Sequence, residues 1–178
     1  MTKWERKTIE TRIRLELEPG NGEAKVQTGI PFLDHMIITL ARYSGLDIRL
    51  EAAGDLKHHI IEDVAIAIGK AVSEITPTDA TRYGEQTIPM DDALVQACID
   101  VGGRPFYRVP LPSALYDHWM RSFCDNARAT LHIRVIRGTD RHHVVEAAFK
   151  ALGMALRTAL GETGSVFSTK GVVSLEAR

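Results

Sequence analysis

One segment of this sequence occurs twice, and the repeat limits the possible folds more than any other feature. Residues 54–72, GDLKHHIIEDVAIAIGKAV, align with residues 138–156, GTDRHHVVEAAFKALGMAL, at an offset of 142 − 58 = 84 positions. The identities include the whole HHxxE unit, which indicates that the chain is built from two copies of one structural unit. The identical positions in the first copy are Gly54, His58, His59, Glu62, Ala67, Gly69 and Ala71.

The similarity continues upstream of both segments. An Asp-His pair ends at His35 in the first half and at His118 in the second, which is 58 − 35 = 23 and 142 − 118 = 24 residues before the HH pairs. Between these motifs, residues 46–50 and 131–135 alternate apolar and polar side chains, as a half-buried strand does. Each half therefore contains a helix, a strand and a second helix in that order.

Two strands fit ahead of the first helix in each half. Alternating apolar residues mark 13–17, and a short extended segment follows at 26–28 after the turn-forming residues EPGNGE. In the second half, residues 93–101 and 105–111 flank a Gly-Gly pair, which is typical of a hairpin turn. We therefore predict an α+β fold made of two ββαβα halves.

The second helix of each half is expected inside the molecule. Residues 58–75 are apolar nearly all round, so we predict that the helices are sandwiched between the sheets. We assign residues 1–84 to the first half and residues 85–178 to the second, and together they form one compact domain. A chain of 178 residues with 44% hydrophobic content is long enough to bury such a core.

Charge and hydropathy argue against two classes of partner. A formal net charge of -1 and a pI near 6.7 give no overall basic field, so we expect neither a nucleic-acid nor a membrane partner. Residues 1–7 lack the apolar stretch of a signal peptide, and no apolar run approaches the roughly 18 residues that span a bilayer. We therefore expect a soluble, cytoplasmic protein.

The repeated histidines and glutamates have the spacing of metal ligands. Residues i and i+4 lie on one face of a helix, whereas adjacent residues point about 100° apart. His58 and Glu62 can therefore bind one ion while His59 faces another, and the second HHxxE unit repeats this arrangement. Six imidazoles and two carboxylates would serve two ions, with three imidazoles and one carboxylate for each. The candidate ligands are His35, His58, His59, Glu62, His118, His142, His143 and Glu146.

This donor set favours a catalytic metal over a structural one. Three nitrogens and one oxygen leave two positions of an octahedral ion open to a substrate, which is typical of Mn(II) or Fe(II) and not of tetrahedral structural zinc. A single HHxxE unit is a weak signal, but two copies at matching places strongly favour metal binding. The seventh histidine, His132, lies on the polar side of a predicted strand, where we expect it to be exposed or hydrogen-bonded.

Eight motifs extend over almost the whole chain. They are GIPFLDHM at 29–36, HHIIEDVAIAIG at 58–69, RYG at 82–84, IPMDDAL at 88–94, GGRPF at 102–106, DHWMRSF at 117–123, HHVVEAAFKAL at 142–152 and STKGVV at 168–173. Together they resemble the motifs of the imidazoleglycerol-phosphate dehydratase family. The resemblance implies a ribosomal protein S5 domain 2-like fold. It also implies a stand-alone dehydratase, without the phosphatase that is fused to it in some bacteria.

The activity that the resemblance implies is a dehydration in histidine biosynthesis, in which D-erythro-imidazole glycerol phosphate becomes imidazole acetol phosphate. Family members use two Mn(II) ions per active site and assemble as 24 subunits built from trimers, with sites between neighbouring subunits. Metals on both ring nitrogens would favour an imidazolate, which expels hydroxide to give a diazafulvene intermediate. A positioned acid/base would then move the proton from the neighbouring carbon.

The resemblance also implies roles for individual residues. One ion would be held by His35, His59, His142 and Glu146, and the other by His58, Glu62, His118 and His143. Glu10 would contact the substrate as the catalytic acid/base, although its position in a predicted strand also suits a solvent-facing side chain. The residues expected to grip the phosphate are Arg82, Arg104, Ser168, Thr169 and Lys170, and Lys150 maps to the substrate-binding region.

The segment before the first HHxxE unit departs from the family pattern. Family members usually carry the acidic sequence DLxIDDHH there, whereas this chain reads GDLKHH and places Lys57 directly before His58. Acidic residues at that place could contact the metal ligands or relay protons. The departure therefore concerns the loop and its acid/base contacts, and it leaves the set of ligands intact.

Two other functions are compatible with paired metals. A binuclear metallohydrolase acting on a phosphate ester would also use two ions and basic residues. A non-enzymatic shell protein would use the metals only to tie subunits together. Formation of the acetol product separates a dehydratase from the hydrolase, and turnover by the wild type separates it from the shell protein.

Overall fold

The computed structural model describes residues 1–108 and 111–165. The first half comprises β1 (Thr2–Lys7), β2 (Thr11–Pro19), β3 (Ala24–Gln27), α1 (Pro31–Ser44), β4 (Leu46–Gly54) and α2 (Lys57–Ile75). The second half comprises β5 (Tyr83–Met90), β6 (Ala93–Asp100), β7 (Phe106–Arg108), α3 (Ala114–Ala127), β8 (Thr130–Arg137) and α4 (Arg141–Ala159). None of the helices in these described ranges is long and apolar enough to cross a membrane.

Each half forms a four-stranded mixed sheet, and the two sheets have the same topology. The strand order is β1-β2-β4-β3 in the first sheet and β5-β6-β8-β7 in the second. The short last strand of each sheet runs parallel to its neighbour, and the other pairs are antiparallel. The predicted α+β fold of duplicated ββαβα halves is confirmed, and each half begins with one strand more than predicted, β1 or β5.

The predicted hairpin around the Gly-Gly pair of the second half is wrong. β6 and β7 are separated by β8, which is antiparallel to β6 and parallel to β7. β6 has 8 residues and β7 only 3, so a hairpin would leave most of the backbone donors and acceptors along β6 unpaired. The 8-residue strand β8 pairs with nearly all of them. In the first half, β4 separates β2 from β3 in the same way.

The four helices lie between the two sheets. α1 and α2 pack on the first sheet, and α3 and α4 pack on the second. Helices from opposite halves also pack against each other, in the pairs α1/α4 and α2/α3. Ile13 and Leu15 on β2 face these helices and are buried, and Trp119 and Phe149 fill the interior from the helix side. The predicted sandwich of helices between sheets is confirmed, because apolar side chains cover both sides of the helical layer.

The repeated glycines at 69 and 153 lie at close contacts between the helices of these pairs. A Cβ atom on Gly69 would lie 2.6 Å from the backbone oxygen of Phe123 on α3. A Cβ atom on Gly153 would lie 2.8 Å from the Cβ of Tyr43 and 3.2 Å from the backbone oxygen of Leu40, both on α1. Glycine therefore permits the close packing of α2 on α3 and of α4 on α1, and these same pairs carry the histidines.

Candidate metal centre

The first cluster of potential metal ligands consists of His35, His142 and Glu146. His35 lies on α1, and the other two lie one turn apart on α4. Nε2 of His35 lies 3.3 Å from Oε2 of Glu146, and Nε2 of His142 lies 3.1 Å from the same oxygen. The two imidazole rings are stacked, with 25° between their planes. Two ring nitrogens and one carboxylate oxygen thus meet in one small region.

The second cluster consists of His58, Glu62 and His118, and it repeats this geometry. His58 and Glu62 lie one turn apart on α2, and His118 lies on α3. Nε2 of His58 lies 3.7 Å from Oε2 of Glu62, and Nε2 of His118 lies 3.4 Å from Oε1. The two rings are again stacked, with 21° between their planes and 5.1 Å between their centroids.

Each cluster is built from both halves of the chain. The HHxxE unit of one half provides a histidine and a glutamate, and the Asp-His pair of the other half provides the second histidine. This exchange follows from the packing of α1 on α4 and of α2 on α3. A single half would therefore hold an incomplete set of donors, which explains why the duplication is part of the site.

Both clusters fit a divalent cation. In each cluster the donor atoms all lie within 4.8 Å of one another, which is close to the spacing of ligands around one ion. Nε2 of His118 is buried and has no hydrogen-bond partner among the residues that the structure describes. A buried ring nitrogen without a hydrogen bond is costly, and a bound ion would remove that cost. Nitrogen with carboxylate oxygen is a donor set for first-row divalent metals.

Lys150 and Glu146 form an ion pair that orients the first cluster. Nζ of Lys150 lies 2.9 Å from Oε1 of Glu146, so that Oε2 is left to face the two histidines. Burial raises the pKa of Glu146, but hydrogen bonds from Lys150 and His35 outweigh it and hold the pKa below its ordinary value. Glu146 is therefore ionised, as a metal ligand must be.

His59 and His143 belong to neither cluster of their own chain. The ring plane of His59 is turned 80° from that of His58, and the ring plane of His143 is turned 86° from that of His142. Adjacent residues of a helix point in different directions, so the two histidines of each HH pair diverge as predicted. Of the four ligands expected for each ion, the chain brings three together and turns the fourth away.

Carboxylates orient the two outward-facing histidines. Nδ1 of His59 lies 2.8 Å from Asp55, and Nδ1 of His143 lies 2.8 Å from Asp92. The contact with Asp55 raises the pKa of His59, and the contact with Asp92 raises the pKa of His143. Metal-binding histidines commonly make such a contact through the nitrogen that is not bound to the metal. The shortened loop thus still supplies an acidic contact, from Asp55 in place of the residue before His58.

The aspartates of the repeated Asp-His pairs have a structural role that the sequence analysis did not assign. Asp34 accepts hydrogen bonds from the backbone N–H of Thr28 at 2.9 Å and from its hydroxyl at 2.6 Å. Asp117 accepts hydrogen bonds from the hydroxyl of Tyr107 at 2.8 Å and from the backbone N–H of Leu111 at 3.1 Å. Each aspartate ties the chain before its helix to the first turn of that helix, and this fixes the position of the histidine that follows.

Glu10 lies in the turn between β1 and β2, just before the strand in which it was expected. Its side chain is exposed, and Oε2 lies 3.8 Å from Nδ1 of His59. Its backbone oxygen accepts a hydrogen bond from the N–H of Asp55 at 3.1 Å. The turn therefore faces the start of α2, where the first HHxxE unit begins.

The residues expected to grip a phosphate are only partly described. Arg82 makes two hydrogen bonds to Asp100, at 3.1 and 2.9 Å, from a backbone with φ of 70°. A Cβ atom on Gly103 would lie 3.8 Å from the Arg82 guanidinium, which places this group beside the loop that carries the exposed Arg104. Ser168, Thr169 and Lys170 lie outside the described residues.

His132 belongs to neither cluster. It is exposed on β8, as expected, and its ring lies 5.3 Å from that of Phe106. All residues of the two clusters lie on helices, and none lies on β8. The position of His132 therefore indicates no metal-binding role.

Comparison with known proteins identifies the family. The sequence profile described as imidazoleglycerol-phosphate dehydratase matches residues 28–156, the range that contains all eight candidate ligands. The chain belongs to the imidazoleglycerol-phosphate dehydratase family. The imidazoleglycerol-phosphate dehydratase of Pyrobaculum calidifontis is 46% identical over 188 residues, which cover 96% of this chain and 98% of that protein. That of an Anaeromyxobacter species is 41% identical over 186 residues, which cover 94% of this chain and 91% of that protein.

Solved structures of the family have the same fold. The crystal structure of IGPD from Pyrococcus furiosus, in complex with (S)-C348, matches with a TM-score of 0.86 and 40% identity over 96% of this chain and 100% of that chain. The dehydratase from Staphylococcus aureus matches with a TM-score of 0.81 and 33% identity over 92% of this chain and 100% of that chain. The family predicted from the motifs is confirmed. Because a dehydratase is a hydro-lyase, the predicted enzyme class is confirmed as well.

Proposed function

We propose that this chain dehydrates D-erythro-imidazole glycerol phosphate to imidazole acetol phosphate in histidine biosynthesis, as a cytoplasmic enzyme. The observation that carries the proposal is the pair of three-donor clusters, each assembled from both halves of the chain. The names of the relatives support the substrate. An imidazole ring has two nitrogens that can bind metals, so an enzyme with two metal sites suits such a substrate.

The proposed cofactor is Mn(II), with two ions in each active site. The first and second clusters would each contribute three ligands to one ion. Imidazole nitrogens combined with a carboxylate, with coordination positions left for the substrate, suit Mn(II). The buried Nε2 of His118, which makes no hydrogen bond among the described residues, supports a bound cation in the second cluster. The contact of Lys150 with one oxygen of Glu146, which leaves the other facing His35 and His142, supports one in the first.

His59 and His143 would complete these metal sites from neighbouring subunits. The expected ligand sets pair His59 with the first cluster and His143 with the second, but both rings point away from the clusters of their own chain. A carboxylate holds each ring at Nδ1, which fixes its direction in advance. The proposal therefore includes a homo-oligomer with shared sites, and we take 24 subunits built from trimers as its size.

The proposed chemistry divides the work between the cations and the protein. The two cations would favour the imidazolate form of the substrate ring, from which hydroxide leaves along an imidazolate/diazafulvene route. Glu10 would take the proton from the carbon beside the one that loses hydroxide, because its exposed carboxylate lies 3.8 Å from a proposed metal ligand, His59. Loss of one hydroxide and one proton gives water and an enol, which tautomerises to the ketone of the product.

Basic residues would bind the phosphate of the substrate. Arg82 is held in place by its two hydrogen bonds to Asp100 and still has donors for a phosphate oxygen. Arg104 would bind from the adjacent loop, and Lys150 would border the substrate while it holds Glu146. The remaining phosphate ligands in the proposal are Ser168, Thr169 and Lys170.

The test is to offer imidazole glycerol phosphate to the Mn(II)-loaded protein and to measure both imidazole acetol phosphate and inorganic phosphate. The proposal predicts the acetol product without phosphate release. Release of phosphate without the acetol would favour the metallohydrolase, and a wild type without any turnover would favour the shell protein. Either result would contradict the proposed dehydratase activity.

A further inference from the structure

The turn that carries Glu10 is closed by hydrogen bonds to the hydroxyl of Thr8 and by a backbone hydrogen bond of 2.9 Å from the N–H of Thr8 to the oxygen of Thr11. Oγ1 of Thr8 accepts hydrogen bonds from the backbone N–H of Glu10 at 3.1 Å and from that of Thr11 at 2.9 Å. The side chain of Ile9, between them, is fully exposed at 103%. No apolar packing therefore holds the tip of the turn. Its position depends on polar contacts, namely the hydrogen bond of 3.1 Å from the N–H of Asp55 to the backbone oxygen of Glu10 and the contacts at the base of the turn.

A buried carboxylate lies at the base of this turn. Asp63 on α2 is only 6% exposed, and both of its oxygens are in use. Oδ1 lies 2.9 Å from the guanidinium of Arg6 on β1, and Oδ2 accepts a short hydrogen bond from the hydroxyl of Thr11 on β2. Asp63 therefore joins helix α2 to both strands that flank the turn.

The direction of the hydrogen bonds can be assigned from the number of available protons. The one hydroxyl proton of Thr11 goes to Asp63, so the contact of 3.1 Å between the hydroxyls of Thr8 and Thr11 must use the proton of Thr8. The oxygen of Thr8 is then free to accept the two backbone N–H groups. A continuous chain of hydrogen bonds runs from the amide of Glu10 through Thr8 and Thr11 to Asp63.

The second half of the chain has no such carboxylate. The residue that corresponds to Asp63 at the offset of 84 is Ala147 on α4, which is fully buried. The fold therefore does not require an acid at this position, and a buried carboxylate is costly unless its partners are all in place. In the second half, Asp92 itself holds the corresponding turn through the backbone N–H groups of Thr139 and Asp140.

We propose that Asp63, with Arg6 and Thr11, is a positioning group that holds Glu10 beside the metal site. The inference rests on the proposed catalytic role of Glu10, and it assigns Asp63 no contact with the substrate. Asp63 follows Glu62, a member of the second cluster, directly in α2. The same helix turn thus sets the position of a metal ligand and, through Thr11, that of the acid/base, so the two cannot move independently.

The test compares Thr11→Val, which removes the hydroxyl, with Thr11→Ser, which keeps it, in the Mn(II)-loaded full-length enzyme. Displacement of a catalytic group by about 1 Å costs up to about 100-fold in rate, so we expect kcat to fall by about tenfold or more in Thr11→Val. We expect KM to stay within about twofold, because the metal ligands and the basic residues proposed to bind the substrate phosphate are unchanged. Thr11→Ser is expected to restore most of kcat.

Two further variants make the test specific to Glu10. Thr76→Val removes a hydroxyl that bonds Val72 at the opposite end of α2, and we expect kcat to remain at the wild-type value. Adding Thr11→Val to Glu10→Gln is expected to cause no further loss, because both changes remove the same contribution. Additive losses, or equal kcat in Thr11→Val and wild type, would overturn the proposal.

Hydrogen exchange separates this inference from the proposed function. In Thr11→Val the amides of Glu10 and residue 11 are expected to exchange about tenfold faster or more, while the amides in the middle of α2 keep the wild-type rate. This measurement needs no substrate. A wild type without dehydratase activity would overturn the proposed function, whereas unchanged exchange of these two amides would overturn the anchoring by Asp63.

Discussion

His58 and His59 are neighbours in the chain, but their imidazole rings lie 80° apart, with 6.2 Å between the centroids. His58 faces Glu62 in the second cluster, whereas His59 faces Asp55 outside it. The second HH pair repeats this divergence. One short motif thus presents one imidazole to a candidate metal cluster of its own chain and directs the other imidazole away from that cluster.

Removing one glutamate is expected to remove one ion. Glu62→Gln and Glu146→Gln should each lower the bound Mn(II) from two ions per chain to about one, because each change replaces a carboxylate ligand by an amide in one cluster only. Elemental analysis after dialysis against Mn(II) measures this. Glu51→Gln, at an exposed position of β4, serves as the control and should leave the stoichiometry at the wild-type value. Full occupancy in both cluster variants would refute the assignment.

The repeat allowed most of the fold to be predicted. The offset between the two copies matched α1, β4 and α2 with α3, β8 and α4, because the same motif is expected on the same element in each half. The strands β1 and β5 were missed, since β1 has a charged residue at every second position and β5 contains a proline. The order of strands in the sheets could not be read from the Gly-Gly pair, because a turn-forming sequence does not specify which strand pairs with which.

The site was predicted in part. The spacing of the HHxxE unit was enough to place His58 with Glu62, and His142 with Glu146, since both pairs lie one turn apart on a helix. His35 joins the HHxxE unit of the second half, and His118 joins that of the first half. This pairing depends on how the helices pack, which no local sequence pattern specifies. The roles of Asp55, Asp92 and Asp63 depend on contacts between distant segments and were missed for the same reason.

Replacing Glu10 is expected to affect turnover and to leave the metal sites intact. Glu10→Gln keeps the shape of the side chain and removes its basicity, so kcat should fall by about 100-fold or more. Steady-state assays of acetol formation give kcat, and elemental analysis of the same sample should find the wild-type content of Mn(II). A variant as fast as the wild type would show that Glu10 has no part in proton transfer.

A methyl group at either repeated glycine should destabilise the protein. Gly69→Ala and Gly153→Ala place a Cβ atom within 2.6 and 2.8 Å of the facing helix, so the helices must separate at a cost of about 1–3 kcal/mol in the free energy of unfolding. Urea denaturation of metal-free protein measures the change. Gly103→Ala is the matched control, because its Cβ atom would meet no atom closer than 3.4 Å. Equal stabilities for all three variants would contradict close packing at these glycines.

The pair of Asp92 and His143 should make stability depend on pH. The backbone N–H of Thr139, aided by His143, holds the pKa of Asp92 below its ordinary value, so its stabilisation is complete above about pH 4 and is lost as the pH falls through the lower pKa. The hydrogen bond to Asp92 raises the pKa of His143. The stabilisation that His143 contributes is therefore complete below about pH 6.5 and is lost as the pH rises through the raised pKa.

The stability difference between wild type and Asp92→Asn is therefore expected to be greatest between about pH 4 and pH 6.5, and smaller on both sides of that range. Urea denaturation of the metal-free proteins at a series of pH values gives this difference. A difference that stays constant from acid to alkaline pH would mean that the two groups do not interact in the folded protein.

Removing the metal should break up the assembly. Because His59 and His143 are proposed to bind ions held by other subunits, the ions link the chains, and exhaustive chelation is expected to shift the sedimentation profile to smaller species. Adding Mn(II) back should reverse the shift. An unchanged profile after chelation would show that the contacts between subunits do not depend on metal.

The duplicated motifs are proposed to build two metal sites, each from both halves of the chain. Anomalous diffraction at the manganese edge, from crystals grown with Mn(II), locates the ions. Two ions per chain are expected, one bound by His35, His142 and Glu146 and the other by His58, Glu62 and His118. Ions at other positions, or no ion in either cluster, would show that these clusters are not the metal sites.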